Sequence, residues 1–252
     1  MNPFSLDKKT IIVTGASSGI GAQCAIDCSR MGATVVLIGR NQERLNSTIA
    51  QLEGGNHCAL VLDLTDFEQI KPKVKEIIEK VGRINGIVNC AGISNTLPMK
   101  IMEFSMMEDF FRSNVIGAMQ LTRECCGIHN FAEQGGSIIF LASIMGVVGD
   151  SAKSLYSMTK GALISGVRSL AIEYAKRNIR FNCISPGVIL TPINAKQSYM
   201  VDPEKRKAME DRHPLGLGAT SDISFASIYL LSDAARWVTG QNLVVDGGFT
   251  VR

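Results

Sequence analysis

Residues 10–21 read TIIVTGASSGIG, and this stretch decides the fold. Its first part, Thr10–Thr14, is a short β-branched run that is typical of a buried parallel strand. The run leads directly into three glycines with the spacing G-x-x-x-G-x-G, and residues 22–31 then have helical character. A strand, a glycine-rich turn and a helix in this order offer backbone N–H groups that can bind a phosphate closely. A plain strand-to-helix turn, with the glycines needed only for its geometry, is the alternative.

Strand-like and helix-like segments alternate along the rest of the chain. The strand-like runs are Thr34–Ile38, Ala59–Leu62, Gly86–Asn89, Ser137–Leu141, Arg180–Ile184 and Asn242–Val245, and the helix-like stretches are Arg44–Leu52, Phe67–Val81, Met107–Phe131, Tyr156–Arg177 and Ile223–Leu231. This alternation predicts an α/β fold, a doubly wound, Rossmann-like parallel sheet with helices on both faces. We expect a single domain over residues 1–252, because no linker or internal repeat interrupts the pattern.

Composition and charge exclude several classes of protein. The 252 residues are 46% hydrophobic and 19% charged, which is ordinary for a globular protein. The net charge of +3 is too small and too dispersed to suggest a nucleic-acid partner. No apolar run approaches the roughly 18 residues of a membrane span, and the N-terminal residues lack the apolar segment of a signal peptide. These features predict a cytoplasmic protein without a membrane partner.

The cysteines and histidines predict neither disulfides nor a catalytic metal. Seven cysteines, an odd number without a C-x-x-C pair, fit reduced thiols better than a disulfide framework. The three histidines, His57, His129 and His213, are scattered without the spacing of metal ligands. We interpret them as structural or surface residues.

A second group of residues predicts proton-transfer chemistry. Tyr156 and Lys160 are four residues apart, so a helix would place them on one face. A nearby ammonium favours a phenolate and so lowers the pKa of a tyrosine. Ser143 follows a strand-like run, and its hydroxyl is suited to hold a substrate oxygen beside the phenol. Taken alone, the Tyr-x-x-x-Lys pair is a weak signal, because such pairs occur by chance on many helices.

Together these motifs resemble the short-chain dehydrogenase/reductase family. The resemblance is carried, in the family's order, by Thr14-Gly15-x-x-x-Gly19-x-Gly21, Asn89-Cys90-Ala91-Gly92, Asn114, Ser143, Tyr156-x-x-x-Lys160, Pro186-Gly187 and Asp246-Gly247-Gly248. It covers nearly the whole chain, and the combination is far more specific than any one motif. Among family members, the 3-oxoacyl-(acyl-carrier-protein) reductases and related alcohol dehydrogenases look most similar. The resemblance implies an NAD(P)-dependent enzyme that transfers hydride between the cofactor and a ketone or secondary alcohol.

The resemblance also implies catalytic roles for four residues. Tyr156 would donate its proton to a carbonyl oxygen during reduction, and Ser143 would orient that oxygen. Lys160 would lower the pKa of the tyrosine and hold the nicotinamide ribose. Asn114 would hold a water in a proton relay to the lysine.

The cofactor-binding residues that the resemblance implies are spread over the carboxyl ends of the predicted strands. They are Gly15, Ser17, Ser18, Gly19, Ile20, Gly21, Arg40, Asp63, Leu64, Asn89, Ala91, Gly92, Tyr156, Lys160, Pro186, Gly187, Ile189 and Thr191. Residues 89–92 would line the adenosine ribose or would mainly stabilise the sheet, and the sequence leaves both open. The second strand is followed by Arg40 and by no carboxylate, which favours NADP(H) over NAD(H), because a guanidinium is suited to a 2′-phosphate.

The sequence leaves the substrate open. A ketoreductase similar to the 3-oxoacyl reductases is the favoured function. An alcohol dehydrogenase of the same family that acts on a sugar, polyol or hydroxysteroid is the alternative, and a non-catalytic protein on the same fold is the third hypothesis. Residues 129–134 and the neighbourhood of Ile172 lack the basic residues with which such reductases dock an acyl carrier protein. Docking of that partner is therefore in doubt.

Two expectations concern the shape of the molecule. Residues 192–216 form a charged, proline-bounded stretch that we expect to act as a substrate lid opposite residues 144–155, with an ordinary surface insertion as the alternative. The resemblance implies a homotetramer, or a dimer, built on the helices around Asn114–Phe131 and Tyr156–Arg177.

Overall fold

The computed structural model describes residues 2–192, 195 and 197–252. Within them a parallel sheet is built from β1 (Thr10–Thr14), β2 (Thr34–Gly39), β3 (Cys58–Val61), β4 (Gly86–Asn89), β5 (Gly136–Leu141), β6 (Ile179–Pro186) and β7 (Asn242–Val245). The spatial order is β3-β2-β1-β4-β5-β6-β7, and every pair of neighbours is parallel. The order reverses between β1 and β4, where a crevice opens at the carboxyl ends of the strands. The predicted doubly wound α/β fold is confirmed.

Helices cover both faces of this sheet. They are α1 (Gly19–Arg30), α2 (Gln42–Ile49), α3 (Phe67–Val81), α4 (Phe104–Phe111), α5 (Gly117–Cys125), α6 (Ser154–Glu173), α7 (Ser198–Val201), α8 (Pro203–Asp211) and α9 (Thr220–Leu231). The helix predicted for residues 107–131 was wrong at its end, because the chain leaves the helix after Cys125. The side-chain amide of Asn130 donates to the carbonyl oxygen of Glu124 at 2.8 Å and stabilises a turn there. No helix in the described residues is long and apolar enough to cross a membrane.

Successive strand residues supply two separate apolar layers. On β1, Ile12 packs with residues of α3, α5 and α6 on one face, whereas Ile11 and Val13 pack with α1 and α9 on the other. Neighbouring side chains of a strand point to opposite faces, so a continuous β-branched run is buried on both sides. This packing fixes the strand ends at which the predicted site residues lie.

A π-helical segment, Arg112–Ile116, separates α4 from α5. Such a segment adds one residue to a helical turn and is frequent at functional sites. Asn114 lies in its middle and is buried. The extra residue therefore determines the direction in which this side chain leaves the helix.

The predicted lid contains α7 and α8, while residues 193, 194 and 196 lie outside the described residues. Asp202 caps α8 by accepting hydrogen bonds from the N–H groups of Glu204 and Lys205. Arg212, directly after α8, donates to the Asp150 carboxylate at 3.3 Å. This ion pair joins the stretch 192–216 to the opposite predicted wall of the substrate site.

Candidate active site

The turn after β1 brings backbone groups unusually close together. Gly15 and Gly19 have φ angles of +64° and +56°, in the left-handed region that favours glycine. A Cβ atom on Gly21 would lie 2.4 Å from the carbonyl oxygen of Gly15. A Cβ atom on Gly15 would lie 3.0 Å from the backbone nitrogen of Ala91. The turn therefore tolerates no larger residues there, and it directs the first N–H groups of α1 toward a ligand such as phosphate.

Three of the predicted catalytic residues line one end of a common cleft. Ser143 follows β5 and is 8% exposed, and its hydroxyl oxygen accepts the N–H of Met145 at 3.2 Å. Tyr156 and Lys160 lie one turn apart on α6. The Lys160 Nζ atom is 5.6 Å from the centre of the Tyr156 ring. The predicted proximity of a hydroxyl, a phenol and an ammonium is thus present in the fold.

Lys160 is a buried cation. It is 6% exposed, and its ammonium donates to the carbonyl oxygen of Leu141 at 2.7 Å. Burial lowers the pKa of Lys160 to about 8. A group with a pKa near 8 is still about nine-tenths protonated at pH 7. The side chain therefore supplies positive charge next to the phenol at neutral pH.

Asn114 lies just behind the cleft wall and joins two of its elements. Its Oδ1 accepts the N–H of Ile93 at 2.7 Å, and its Nδ2 donates to the carbonyl oxygen of Ile93 and to the hydroxyl of Thr159. A Cβ atom on Gly92 would lie 2.9 Å from Asn114 Oδ1 and 3.7 Å from Lys160 Nζ. The carboxamide and the ammonium thus approach the same small space.

Two arginines line the cleft at the carboxyl end of β2. Arg40 Nη1 lies 3.9 Å from Asp63 Oδ2, and Arg44 lies in the first turn of α2. Partial burial acts to raise the pKa of Asp63, but the N–H and hydroxyl of Thr65 donate hydrogen bonds that outweigh it, and with Arg40 they lower the pKa. Asp63 is therefore an ionised acceptor beside the guanidinium of Arg40.

The cleft between these two ends has a volume of about 530 Å³. Most of the sequence-predicted site residues line it, namely Gly15, Ser17, Ser18, Gly19, Ile20, Gly21, Arg40, Asp63, Leu64, Ala91, Gly92, Ser143, Tyr156, Lys160, Pro186, Gly187, Ile189 and Thr191. Asn89 and Asn114 are buried outside this lining. The Nδ2 atom of Asn89 donates to the hydroxyl of Thr122 on α5 at 3.3 Å. That contact packs a helix on the sheet, the structural role that the sequence had left open.

Sequence reasoning missed several residues of the cleft wall, including Arg44, Thr65, Ser94 and Ser113. Arg44 had a usable signal, because it lies four residues after Arg40 at the start of a predicted helix. The serines had none, since Ser94 belongs to an irregular loop and Ser113 to the π-helical segment. Their positions follow from tertiary packing.

Comparison with known proteins agrees with this geometry. The family model described as enoyl-(acyl carrier protein) reductase matches residues 15–250. The chain belongs to the short-chain dehydrogenase/reductase family. This family member is 35% identical to a glucose 1-dehydrogenase of Gluconobacter oxydans, over 96% of this chain and 92% of that protein. It is 33% identical to a 3-oxoacyl-(acyl-carrier-protein) reductase of Thermotoga maritima, over 98% of this chain and 99% of the relative.

A solved structure gives the same fold. The short-chain dehydrogenase/reductase superposes on a gluconate 5-dehydrogenase from Burkholderia cenocepacia, crystallised with NADP and tartrate, with a TM-score of 0.93. The two chains are 28% identical, and the match covers 100% of this chain and 98% of the other. The resemblance seen in the sequence is confirmed, and the protein is an NAD(P)-dependent oxidoreductase.

The residues of the short-chain dehydrogenase/reductase fit a nicotinamide cofactor. The glycine turn after β1 leaves no space for side chains at the place where a pyrophosphate would approach the backbone. The hydroxyl oxygen of Thr191, in the cleft wall, is buried without a hydrogen-bond partner among the described residues. Buried polar atoms are normally paired, so this hydroxyl is suited to a polar ligand group.

Proposed function

We propose that this enzyme transfers a hydride between NADP(H) and a ketone or secondary alcohol, with 3-oxoacyl compounds as the favoured substrate class. One observation carries the proposal: Ser143, Tyr156 and Lys160 line one end of a cleft whose wall also includes the glycine turn and two arginines. A bound nicotinamide supplies or accepts the hydride, and the protein contributes alignment and charge.

Tyr156 acts as the general acid in reduction and as the base in oxidation. In reduction its phenolic proton moves to the carbonyl oxygen of the substrate. The ammonium of Lys160 lies 5.6 Å from the centre of the ring. A positive charge so close to the ring favours the phenolate over the phenol and so makes the tyrosine a better proton donor.

Ser143 orients the substrate oxygen for this proton transfer. Its hydroxyl oxygen accepts the N–H of Met145 in the short helical turn that follows β5, and this contact fixes its orientation. A hydroxyl fixed in advance can stabilise charge on the oxygen without reorganising during the reaction. The serine thus aligns the substrate while the tyrosine transfers the proton.

Asn114 completes the proposed proton path. The small space beside Gly92, bounded by the Asn114 carboxamide and the Lys160 ammonium, supports the relay implied by the family, in which Asn114 holds a water that exchanges protons with the lysine. The contacts of Asn114 to Ile93 and Thr159 hold the carboxamide in this orientation. Its position behind the wall is compatible with contact to water and not to substrate.

The preference for NADP(H) is also part of the proposal. Arg40 and Arg44 both line the cleft beside the end of β2, and Gly39 occupies the last position of that strand. Guanidinium groups bind phosphate through charge-assisted hydrogen bonds, and a carboxylate that would repel a 2′-phosphate is missing from the end of this strand. Asp63 remains available as an acceptor for the adenine amino group.

The proposed substrate class has one alternative. Val147, four residues after Ser143, is half exposed, and such an apolar side chain suits the aliphatic part of a 3-oxoacyl compound. A sugar or polyol is the alternative, favoured by the glucose 1-dehydrogenase relative and by two relatives named L-rhamnose 1-dehydrogenase. Ile172 is 80% exposed without a basic residue at that point, so docking of an acyl carrier protein is not part of the proposal.

We further propose a homotetramer, or a dimer, built on the helices around Asn114–Phe131 and Tyr156–Arg177. Large apolar side chains of these two stretches face outward: Ile116 is 37% exposed and Met158 is 50% exposed. Exposed apolar groups on neighbouring helices are typical of an interface between subunits. Sedimentation at micromolar concentration should give the dimer or tetramer, and a monomer alone would refute the assembly.

Two remaining expectations belong to the same proposal. The chain acts as one domain in which residues 192–216 serve as a lid, supported by the Arg212–Asp150 ion pair across the two substrate walls. The enzyme works in the cytoplasm, supported by seven cysteines that are all free thiols.

The experiment that tests this function is a substrate panel assayed with NADPH and NADH in parallel. It contains acetoacetyl thioesters, simple ketones, and the oxidised forms of sugars and polyols. We expect turnover of a 3-oxoacyl thioester that is at least tenfold more efficient with NADPH. Turnover of the oxidised sugars or polyols alone would select the alternative substrate class, and no turnover of any carbonyl compound of the panel with either cofactor would contradict the proposal.

A further inference from the structure

The imidazole of His213 is buried between two parts of the predicted substrate and cofactor site. It is 3% exposed, its Nε2 accepts the N–H of Val188 at 3.2 Å, and its Nδ1 lies 2.8 Å from the carbonyl oxygen of Met209. A backbone N–H can only donate and a carbonyl oxygen can only accept. The ring in this arrangement is therefore neutral, with its proton on Nδ1.

Val188 belongs to the loop after β6, and the cleft is lined here by Pro186, the last residue of β6, and by Gly187 and Ile189 of the loop. Other hydrogen bonds of this loop join main-chain groups: Gly187 donates to Val245 at 3.0 Å, and Val188 accepts from Gly218 at 3.0 Å. Main-chain bonds of this kind do not depend on the identity of a side chain. Of these three hydrogen bonds, the one to His213 is made by a side chain, and the other two are made by the main chain.

The imidazole is held in place from a second direction. Its ring centre lies 4.9 Å from that of Phe249, at an interplanar angle of 46°. The Arg212 guanidinium lies 4.6 Å from the centre of the same phenylalanine ring. Tilted aromatic pairs at this separation are attractive, and they restrict rotation of the imidazole. Its Nε2 therefore presents an acceptor to Val188 in a fixed direction.

We propose that His213 is a positioning residue for the nicotinamide end of the cleft. By accepting the Val188 N–H, it holds residues 186–188 in the orientation that receives the cofactor ring. The role rests on the proposed function, because it assumes that a nicotinamide binds beside this loop. The imidazole itself acts through the loop and contacts neither the substrate nor the cofactor.

The two ring nitrogens can be tested separately. In His213→Gln the amide oxygen can replace Nε2 as the acceptor for Val188, whereas in His213→Asn the amide nitrogen replaces only the Nδ1 donor to Met209. We expect the Gln variant to bind NADPH within about threefold of the wild type and the Asn variant to bind it about tenfold more weakly, as for one lost hydrogen bond. Both variants should bind 2′,5′-ADP, which lacks the nicotinamide, like the wild type. Any other ranking, or a loss that extends to 2′,5′-ADP, overturns the assignment.

A measurement on the wild type keeps the proposal testable if a variant does not fold. Long-range ¹H–¹⁵N NMR of the imidazole should show the proton on Nδ1 of His213, and a proton on Nε2 overturns the role of His213. The same titrations distinguish the role of His213 from the proposed function. A wild-type chain that binds neither NADPH nor NADH contradicts the proposed function itself, whereas normal NADPH binding by the Asn variant removes only the role of His213.

Discussion

The ammonium of Lys160 donates a 2.7 Å hydrogen bond to the carbonyl oxygen of Leu141, the last residue of β5. This contact ties the charge to the end of a strand as well as to its own helix, so two elements fix its place beside Tyr156. A single carbonyl does not replace the hydration of an ammonium, and burial accordingly lowers the pKa of Lys160 to about 8. The lysine should therefore reduce the stability of the fold while it serves the chemistry.

The unfavourable burial of this charge predicts that Lys160→Met changes the pH dependence of the free energy of unfolding. The pKa of about 8 in the folded state lies below the ordinary lysine value of 10.5, which applies to the unfolded state. Below pH 8 the lysine is charged in both states and the folded state bears the full cost of burial. Between pH 8 and 10.5 the unfolded state binds more protons, so stability rises with pH. Between pH 7 and 10.5 the free energy of unfolding of the wild type should rise by about 3 kcal/mol relative to that of the variant, as measured by urea unfolding. Parallel curves for the two proteins would contradict the burial of this charge.

The two arginines at the end of β2 predict a change of cofactor preference. In the double variant Arg40→Ala, Arg44→Ala, NADPH affinity should fall by about 10-fold to 100-fold, because one or two charge-assisted hydrogen bonds to the 2′-phosphate are lost. NADH affinity should change by less than about threefold. Arg123→Ala is the matched control, since this arginine is exposed on α5 and is not part of the cleft lining. Equal losses of affinity for NADPH and NADH would show that the two arginines do not bind the 2′-phosphate.

Gly92 offers a test of the space shared by Asn114 and Lys160. In Gly92→Ala the new Cβ atom would lie 2.9 Å from Asn114 Oδ1, so the carboxamide must move. Displacement of a positioned catalytic group by about 1 Å costs on the order of 100-fold in turnover. Gly55→Ala is the control, because nothing lies within 4 Å of its new Cβ atom. Steady-state kinetics of both variants provides the measurement, and full turnover by Gly92→Ala would remove Asn114 from the proton path.

Much of the fold was predictable because local pattern and tertiary structure agree. The run Thr10–Thr14 is β-branched throughout because both faces of β1 are covered, and the glycines after it are required by backbone contacts. The end of the helix predicted for residues 107–131 could not be predicted, since the apolar pattern of the sequence continues after Cys125. The turn there depends on the Asn130 amide, which a periodicity argument does not weigh.

The site was predictable to the extent that its residues lie at strand ends. Tyr156 and Lys160 share a helix face, and their spacing became a specific signal only in combination with the glycine motif and the other motifs of the family. The π-helical segment that orients Asn114 adds one residue to a turn, and no residue type signals such an addition. His213 was interpreted as structural or surface, because its partner Val188 lies 25 residues away and only the folded chain brings the two together.

The central claim is that Tyr156 transfers the proton, and Tyr156→Phe tests it most directly. The substitution removes one oxygen and keeps the ring, while Tyr174→Phe is the control, since the Tyr174 ring packs against Phe181 and lies outside the cleft lining. Loss of a general acid costs about 10²-fold to 10⁴-fold in rate. With the best ketone of the panel, turnover by Tyr156→Phe should fall by about that factor while NADPH binding stays within about threefold and the control remains active. Turnover within about threefold of the wild type would contradict the account.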